Sequence, residues 1–401
     1  MRAFINTRRI FVYLYVMTLV ALMVIPRIKY SFTFMQILIF SLPLVMLALV
    51  EGKTYRKVFA INIILLCITF LCTFVFNFRG NISNVLNVVV SMYLYILPLL
   101  ICRYLIDLND IVLMKWITIS IGAILIYLLV VTFSALLEDP KIARMLAYGT
   151  VDDPYINYYR MRNVGGFGFC YCLCMLPPYL TGIINKVKKK HKKFVLIALL
   201  ILLIFSVYSQ YTTFIFLSVG AIFYVVLTQG KWSYKKAFVL ALLIVIVISF
   251  KRLMWFLAHN ISLSTLAAHF YDLYFILEGE EGIGRWDTYK ANILLFLQHP
   301  IFGADLTDIY NNYLYISAHS LLFGRLSGGG IVGFGCYIGF VATAWYYLAK
   351  LKKMKRLIPV FLVYIILAFL NPVTPEISVT AFLFIPLIEY QFISKEEQYY
   401  V

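Results

Sequence analysis

Long apolar runs follow one another along this chain, and most of them are joined by short polar connections. A helix of about 20 apolar residues is long enough to cross the hydrocarbon core of a bilayer. Hydrophobic residues make up 63% of the chain and charged residues only 13%, whereas about 25% charged residues is usual in soluble globular proteins. The pattern therefore predicts an all-α polytopic integral membrane protein and excludes a soluble globular fold.

The apolar runs predict about twelve transmembrane helices, packed as a single membrane domain over residues 1–401. The first run lacks a convincing small-residue cleavage site, so we interpret it as a span and not as a signal peptide. We place the spans at residues 10–26, 32–50, 58–76, 85–102, 111–134, 164–184, 194–209, 211–228, 237–255, 320–349, 357–371 and 377–393.

Lysine and arginine residues set the predicted orientation, because they are enriched in the cytoplasmic connections of membrane proteins. Most of the 35 basic residues fall on one side of the membrane when both termini are cytoplasmic. The net charge of +17 is explained by these connections, so nucleic-acid binding is not predicted. Two long connections, 135–163 and 256–319, then lie on the extracytoplasmic side.

Short helices are expected in the long connections. Leu266, Phe270 and Leu277 recur at helical spacing, which favours a helix that lies in the membrane interface. A second helix is predicted from Trp286 to Gln298. Pro300 ends it, because the residue before a proline is disfavoured in the α region.

Between residues 284 and 330 the sequence carries short motifs in a fixed order. They are Gly284-Arg285, Tyr289, His299-Pro300-Ile301-Phe302-Gly303 and His319-Ser320, followed by a glycine-rich helix start that reads R-L-S-G-G-G-I-V-G-F-G. This ordered set, within a match that covers roughly residues 160–350, resembles the O-antigen polymerase and O-antigen ligase superfamily. Tyr289 stands where that family usually has tryptophan. The Ser-Arg pair usual in its ligases has no counterpart in S-Q-Y-T-T at 209–213.

The resemblance implies a membrane glycosyltransferase. It would polymerise undecaprenyl-diphosphate-linked oligosaccharide repeat units of an O-antigen, capsule or exopolysaccharide at the outer face of the bacterial cytoplasmic (inner) membrane. Its partners would be the lipid-linked oligosaccharide, the lipid bilayer, a chain-length regulator and a flippase. The missing Ser-Arg pair favours a polymerase over a ligase that transfers finished glycan to another acceptor.

A polysaccharide flippase or secondary transporter is a further alternative from a different class. Ion-coupled transporters usually place acidic residues near the middle of the membrane. The acidic residues in or close to the last predicted spans are Glu376 and Glu389, and both lie near span ends. This placement favours chemistry at the membrane surface over transport.

Transfer of a glycan from a lipid diphosphate requires groups that stabilise the departing diphosphate and a base that deprotonates the acceptor hydroxyl. The sequence has no Asp-x-Asp motif and no His/Cys/Glu cluster for a metal, so we expect metal-independent chemistry without a cofactor, in which arginine and lysine meet the phosphate charge. Contact with lipid head groups is the alternative role for each such residue.

The resemblance implies Arg285 and His319 as the catalytic residues. His319 is expected to act as the general base, because a histidine with an ordinary pKa of about 6.5 is largely neutral at neutral pH. We expect a structural role for His299 at the end of its helix. The candidate substrate-binding residues are Arg160, Arg162, Lys290, Arg325 and Tyr289.

Overall fold

The computed structural model describes residues 2–51, 56–77, 82–139, 141–148, 153–209, 211–228, 233–262, 267–268, 270–271, 274–275, 285–304 and 320–398. These residues form helices and connections and contain no β-strand, which confirms the predicted all-α fold. They belong to two compact units, Met1–Leu129 with Arg285–Val401, and Val130–Gly284.

The first unit combines helices from both ends of the chain. A π-helical turn, Tyr346–Leu351, extends the helix Leu321–Trp345, and a second one, Thr380–Phe384, joins the helices Pro375–Val379 and Ile385–Gln398. The helices are α1 (Arg2–Val24), α2 (Pro26–Lys29), α3 (Phe34–Glu51), α4 (Arg56–Asn77), α5 (Ile82–Leu108), most of α6 (Ile111–Glu138), α14 (Arg285–Gln298), α15 (Leu321–Trp345), α16 (Ile358–Leu370), α17 (Pro375–Val379) and α18 (Ile385–Gln398).

The second unit contains the end of α6 and the helices up to residue 260. The run predicted as one span at 164–184 is divided at Met175. Pro177 and Pro178 follow the division, and proline has no N–H to continue the helical hydrogen bonds. The helices are α7 (Ile142–Tyr148), α8 (Pro154–Met161), α9 (Phe167–Cys174), α10 (Leu176–Ile183), α11 (Lys189–Tyr208), α12 (Thr212–Thr228) and α13 (Tyr234–Asn260).

Within the described ranges, six helices are long and apolar enough to cross a membrane, and four shorter apolar helices accompany them. Large apolar side chains lie on their outer surfaces, such as Ile119 and Ile126 of α6, each 65% exposed. A chain with both an apolar interior and an apolar exterior is embedded in a membrane. Most residues of the predicted apolar runs are helical. The number of crossings and the cytoplasmic termini stay predictions.

Short helices α7 and α8 occupy the connection predicted at 135–163, and α14 confirms the helix predicted at Trp286–Gln298. Most of the interfacial helix predicted around Leu266–Leu277 lies outside the described residues. Gly339 of α15 lies against α4, where an added Cβ would be 3.3 Å from Leu65. Gly335 faces open space instead.

Candidate functional site

Helix α15 is interrupted at Gly330, whose φ of 59° and ψ of −161° are not helical. Such a break frees backbone groups, and in an apolar environment each of them must find another partner. The chain that follows α14 supplies these partners. The backbone hydrogen bonds run from Ala304 N–H to Ser327 C=O (2.8 Å), from Ile331 N–H to Pro300 C=O (2.9 Å) and from Val332 N–H to Ile301 C=O (3.2 Å).

Glycine is required on both sides of this contact. A Cβ on Gly303 would lie 2.4 Å from backbone atoms of Gly328 and Gly329, and a Cβ on Gly330 would lie 2.3 Å from the Ile301 carbonyl oxygen. Both Gly303 and Gly330 also have positive φ angles, which glycine adopts without strain. The His-Pro-Ile-Phe-Gly motif and the glycine-rich motif are therefore in close backbone contact, and each needs its glycine for that contact.

Tyr289 fixes α14 against the first half of α15 and the end of α16. Its ring centroid lies 4.8 Å from that of Phe323 and 6.3 Å from that of Phe369. Its hydroxyl donates to the Leu370 carbonyl oxygen at 3.4 Å, and the residue is only 8% exposed. Tyr289, a predicted substrate-binding residue, thus packs between helices.

A buried polar contact supports the same helix pair. The Ser327 hydroxyl donates to Asn292 Oδ1 at 2.7 Å, and Asn292 Nδ2 donates to the Thr288 carbonyl oxygen at 2.7 Å. Lys290 lies between these buried positions of α14 and is itself exposed. The helix therefore buries Thr288, Tyr289 and Asn292 while presenting a lysine to the outside.

Side chains and backbone from several helices meet on one segment of the first unit, which we call the 368–376 junction. It runs from Ala368 near the end of α16 to Glu376 at the start of α17. The Lys29 ammonium lies 2.6 Å from Glu376 Oε1, and both side chains are largely buried. The remaining contacts are Tyr95 O–H to Val373 C=O (2.5 Å), Leu321 N–H to Asn371 C=O (3.1 Å), Ser320 O–H to Ala368 C=O (3.3 Å) and the Tyr289 contact with Leu370.

Arg325 lies in the first half of α15, one residue after Gly324 and five before the break. Its guanidinium donates to the Ser91 hydroxyl of α5 at 3.1 Å, and the residue is partly exposed. A neutral hydroxyl leaves the positive charge of Arg325 available to an anion. Arg325 therefore keeps the positive charge for which it was selected as a candidate phosphate-binding residue.

Arg162 ends α8 in the second unit and is held by a carboxylate. Asp153 caps the start of this helix by accepting from the Tyr155 and Ile156 N–H groups. The Arg162 guanidinium donates to both oxygens of Glu138, at 2.7 and 2.9 Å, and lies over the rings of Tyr158 and Tyr159. This hydrogen bonding to the Glu138 carboxylate raises the pKa of Arg162 above its ordinary value.

Arg160 is a buried residue of α8, 6% exposed. The structure therefore brings Arg160 and Arg162 onto one short helix, with one guanidinium buried and the other paired. Tyr289, Lys290 and Arg325 belong to the first unit. Arg285 is the first residue of α14, and His319 lies outside the described residues, directly before Ser320 in the chain.

Sequence reasoning did not select Lys29, Asn371, Thr374 or Glu376. Glu376 was noted only as an acid near a span end. The available signal was the segment N-P-V-T-P-E, which lies between two apolar runs. Its two prolines and three polar residues interrupt both the helical pattern and the run of hydrophobic residues. Its pairing with Lys29 could not be read from the sequence.

No known family model matches this chain, and no curated protein matches it. The likeness to the polysaccharide polymerase superfamily therefore rests on the ordered motifs themselves.

Proposed function

We propose that this membrane protein is a polymerase of undecaprenyl-diphosphate-linked oligosaccharide repeat units, acting at the outer face of the bacterial cytoplasmic membrane. The observation that carries the proposal is the docking of the His299–Gly303 motif into the break of α15. Motifs that resemble the polymerase family in order thus depend on one another in space. The contact makes each of these two motifs a structural requirement of the other.

The proposed reaction joins the acceptor sugar to the donor sugar and releases the donor's lipid diphosphate. The acceptor hydroxyl oxygen forms a bond to the anomeric carbon, the bond from that carbon to the diphosphate oxygen breaks, and the hydroxyl proton passes to His319. Arg285 donates paired hydrogen bonds to the departing diphosphate, for which the planar guanidinium is suited. Lys290 and Arg325 add positive charge.

A transporter or flippase is the second candidate, and the break in α15 is the observation that favours it. Interrupted helices in transporters expose backbone groups to a substrate or ion. In this chain, residues 300–304 bond to the backbone on both sides of the break. The break therefore serves a contact within the protein, which favours the polymerase over the transporter.

The test is a purified assay with the lipid-diphosphate-linked repeat unit as both donor and acceptor, run with and without a chelator. We expect a ladder of polymer and released lipid diphosphate, unchanged by the chelator. A ligase would transfer glycan only after a different acceptor is added. Movement of the lipid across a vesicle membrane without any new glycosidic bond would support a transporter and overturn the proposal.

The predicted orientation is tested in intact cells. Single cysteines replace Thr150 and Glu280, one in each long connection, in a chain that lacks the native cysteines. Both should react with a membrane-impermeant thiol reagent, because the basic connections are expected on the opposite side. Protection of either cysteine until the membrane is broken would contradict an extracytoplasmic site.

A further inference from the structure

The 368–376 junction contains polar atoms that the protein buries without pairing them. Asn371 Nδ2, Thr374 Oγ1 and Glu376 Oε2 have no hydrogen-bond partner within the part of the chain that the structure describes. Asn371 and Glu376 are only 5% and 6% exposed. Roughly 90% or more of buried polar groups in native proteins are paired, since an unpaired group keeps its full desolvation penalty. Three such atoms in one short segment indicate a polar ligand.

The chemistry of these atoms narrows the class of ligand. An amide N–H donates, a hydroxyl both donates and accepts, and a carboxylate oxygen accepts. Lys29 neutralises Glu376 through the other carboxylate oxygen, at 2.6 Å. Within the junction itself, the charges of Lys29 and Glu376 therefore balance. A set of donors and acceptors without net charge suits the hydroxyl groups of a sugar, each of which donates and accepts.

The junction is also tied to the start of α15. Ser320 bonds to Ala368, and Leu321 bonds to Asn371 through its backbone N–H. Ser320 directly follows His319, the predicted base, in the chain. The unpaired atoms thus belong to the same segment that anchors the residue next to that base.

We infer that the 368–376 junction is the acceptor-sugar subsite, in which Asn371, Thr374 and Glu376 bind hydroxyl groups of the glycan that receives the growing chain. The inference deepens the proposed function and rests on it for the identity of the ligand. The donor's diphosphate is bound elsewhere, by arginine and lysine.

Thr374→Val provides the sharpest test, because it removes a hydroxyl that has no partner among the described residues and keeps the shape of the side chain. A buried unpaired hydroxyl lowers stability, so its removal should preserve or raise the melting temperature of the purified protein. Binding of the repeat-unit oligosaccharide, released from the producing cell's own lipid-linked pool, should weaken about fivefold. Stability and binding should therefore change in opposite directions.

Ser378→Ala is the matched control. The Ser378 hydroxyl is also buried, but it is paired with the Tyr364 hydroxyl at 3.1 Å. Its removal should lower the melting temperature and leave oligosaccharide binding unchanged. If Thr374→Val behaves like this control, or leaves binding unaltered, the three atoms hold bound water alone and the inference is overturned.

Glu376→Gln tests the charge argument, with Glu389→Gln as its control. Glu389 is an equally buried acid in the first unit, paired with Arg356 at 3.2 Å. Glu376→Gln should weaken oligosaccharide binding about tenfold or more, since a bond to a charged group is lost, while binding of undecaprenyl diphosphate does not fall. Equal loss of both ligands would overturn the assignment to a neutral sugar.

Polymer formation by the wild-type protein is measured separately, so the two proposals fail in different ways. Oligosaccharide binding that depends on Thr374, in a protein that forms no polymer, would reject the proposed function and keep the subsite. Polymer formation together with binding that ignores Thr374 and Glu376 would reject the subsite and keep the polymerase.

Discussion

The 368–376 junction and the end of α8 both contain a basic residue beside an acid, but they differ in what surrounds the pair. At α8, Arg162 meets both oxygens of Glu138 near the surface, and the aromatic rings of Tyr158 and Tyr159 lie beneath it. At the junction, Lys29 meets only one oxygen of Glu376, and the other oxygen is buried without a partner among the described residues.

The Arg162–Glu138 pair is complete without a ligand, whereas the Lys29–Glu376 pair leaves one carboxylate oxygen for a ligand. A guanidinium that donates both of its paired hydrogen bonds to a carboxylate has few N–H groups left for a phosphate. A buried carboxylate with an unused oxygen keeps an acceptor for an incoming group. The comparison therefore directs the search for substrate contacts to the first unit, although the sequence selected arginines in both units.

The largest effect should follow from His319→Ala in the first unit. A positioned general base contributes about 10²–10⁴-fold, so polymer formation in the purified assay should fall by that factor while lipid-linked donor accumulates in cells. His319→Gln should be nearly as poor, because an amide cannot take the proton. The wild-type rate should rise with pH as the general base loses its proton.

His299→Ala is the control for His319→Ala, because the His299 side chain is exposed and its described bonds are made by the backbone. This variant should keep most of the activity. A His319→Gln protein with most of its activity would show that His319 only positions the substrate.

Gly330→Ala should follow in size, because it breaks the docked motifs of the first unit. The added Cβ meets the Ile301 carbonyl oxygen at 2.3 Å, and the positive φ is strained for alanine. We expect a loss of about 2–4 kcal/mol in the free energy of unfolding, measured by thermal or denaturant unfolding in detergent, with loss of polymer.

Gly329→Ala is the matched control, since an added Cβ at that position meets nothing within 4 Å. It should leave stability and polymer formation close to the wild type. Equal behaviour of the two alanine variants would mean that the break in α15 does not depend on close backbone contact.

Arg285→Lys should have a smaller effect on the reaction than His319→Ala. Lysine keeps the charge but loses the paired hydrogen bonds to phosphate, so about 1.5–3 kcal/mol of stabilisation of the diphosphate should be lost. The measurement is polymer formation at equal protein level, together with affinity for the lipid-linked donor. Wild-type polymer length in this variant would remove Arg285 from the site.

Arg162→Gln should have the smallest effect, because the Arg162 guanidinium is paired with Glu138 near the surface. Polymer formation should stay within about threefold of the wild type, as for other exposed ion pairs. Glu138→Gln should match it, since either change removes the same pair. A much larger loss in Arg162→Gln than in Glu138→Gln would place Arg162 in the substrate site and undo the contrast between the two regions.

Much of the helical architecture could be predicted because it follows from local properties. The apolar runs indicate where most of the long helices lie, and Pro300 determines where α14 ends. The predicted single helix at 164–184 did not account for Pro177 and Pro178, although the same rule applies there. Tyr289 was expected to bind substrate, and its burial against Phe323 and Phe369 depends on packing that the sequence does not display.

The sequence by itself determined the class of the protein, the positions of its apolar helices and the order of its motifs. Hydropathy, charge and proline act over a few residues, so they can be read along the chain. Only the tertiary structure determined which residues form ion pairs with each other. Glu138 lies 24 residues from Arg162 and Glu376 lies 347 residues from Lys29, and only the packing of distant helices brings each pair within bonding distance.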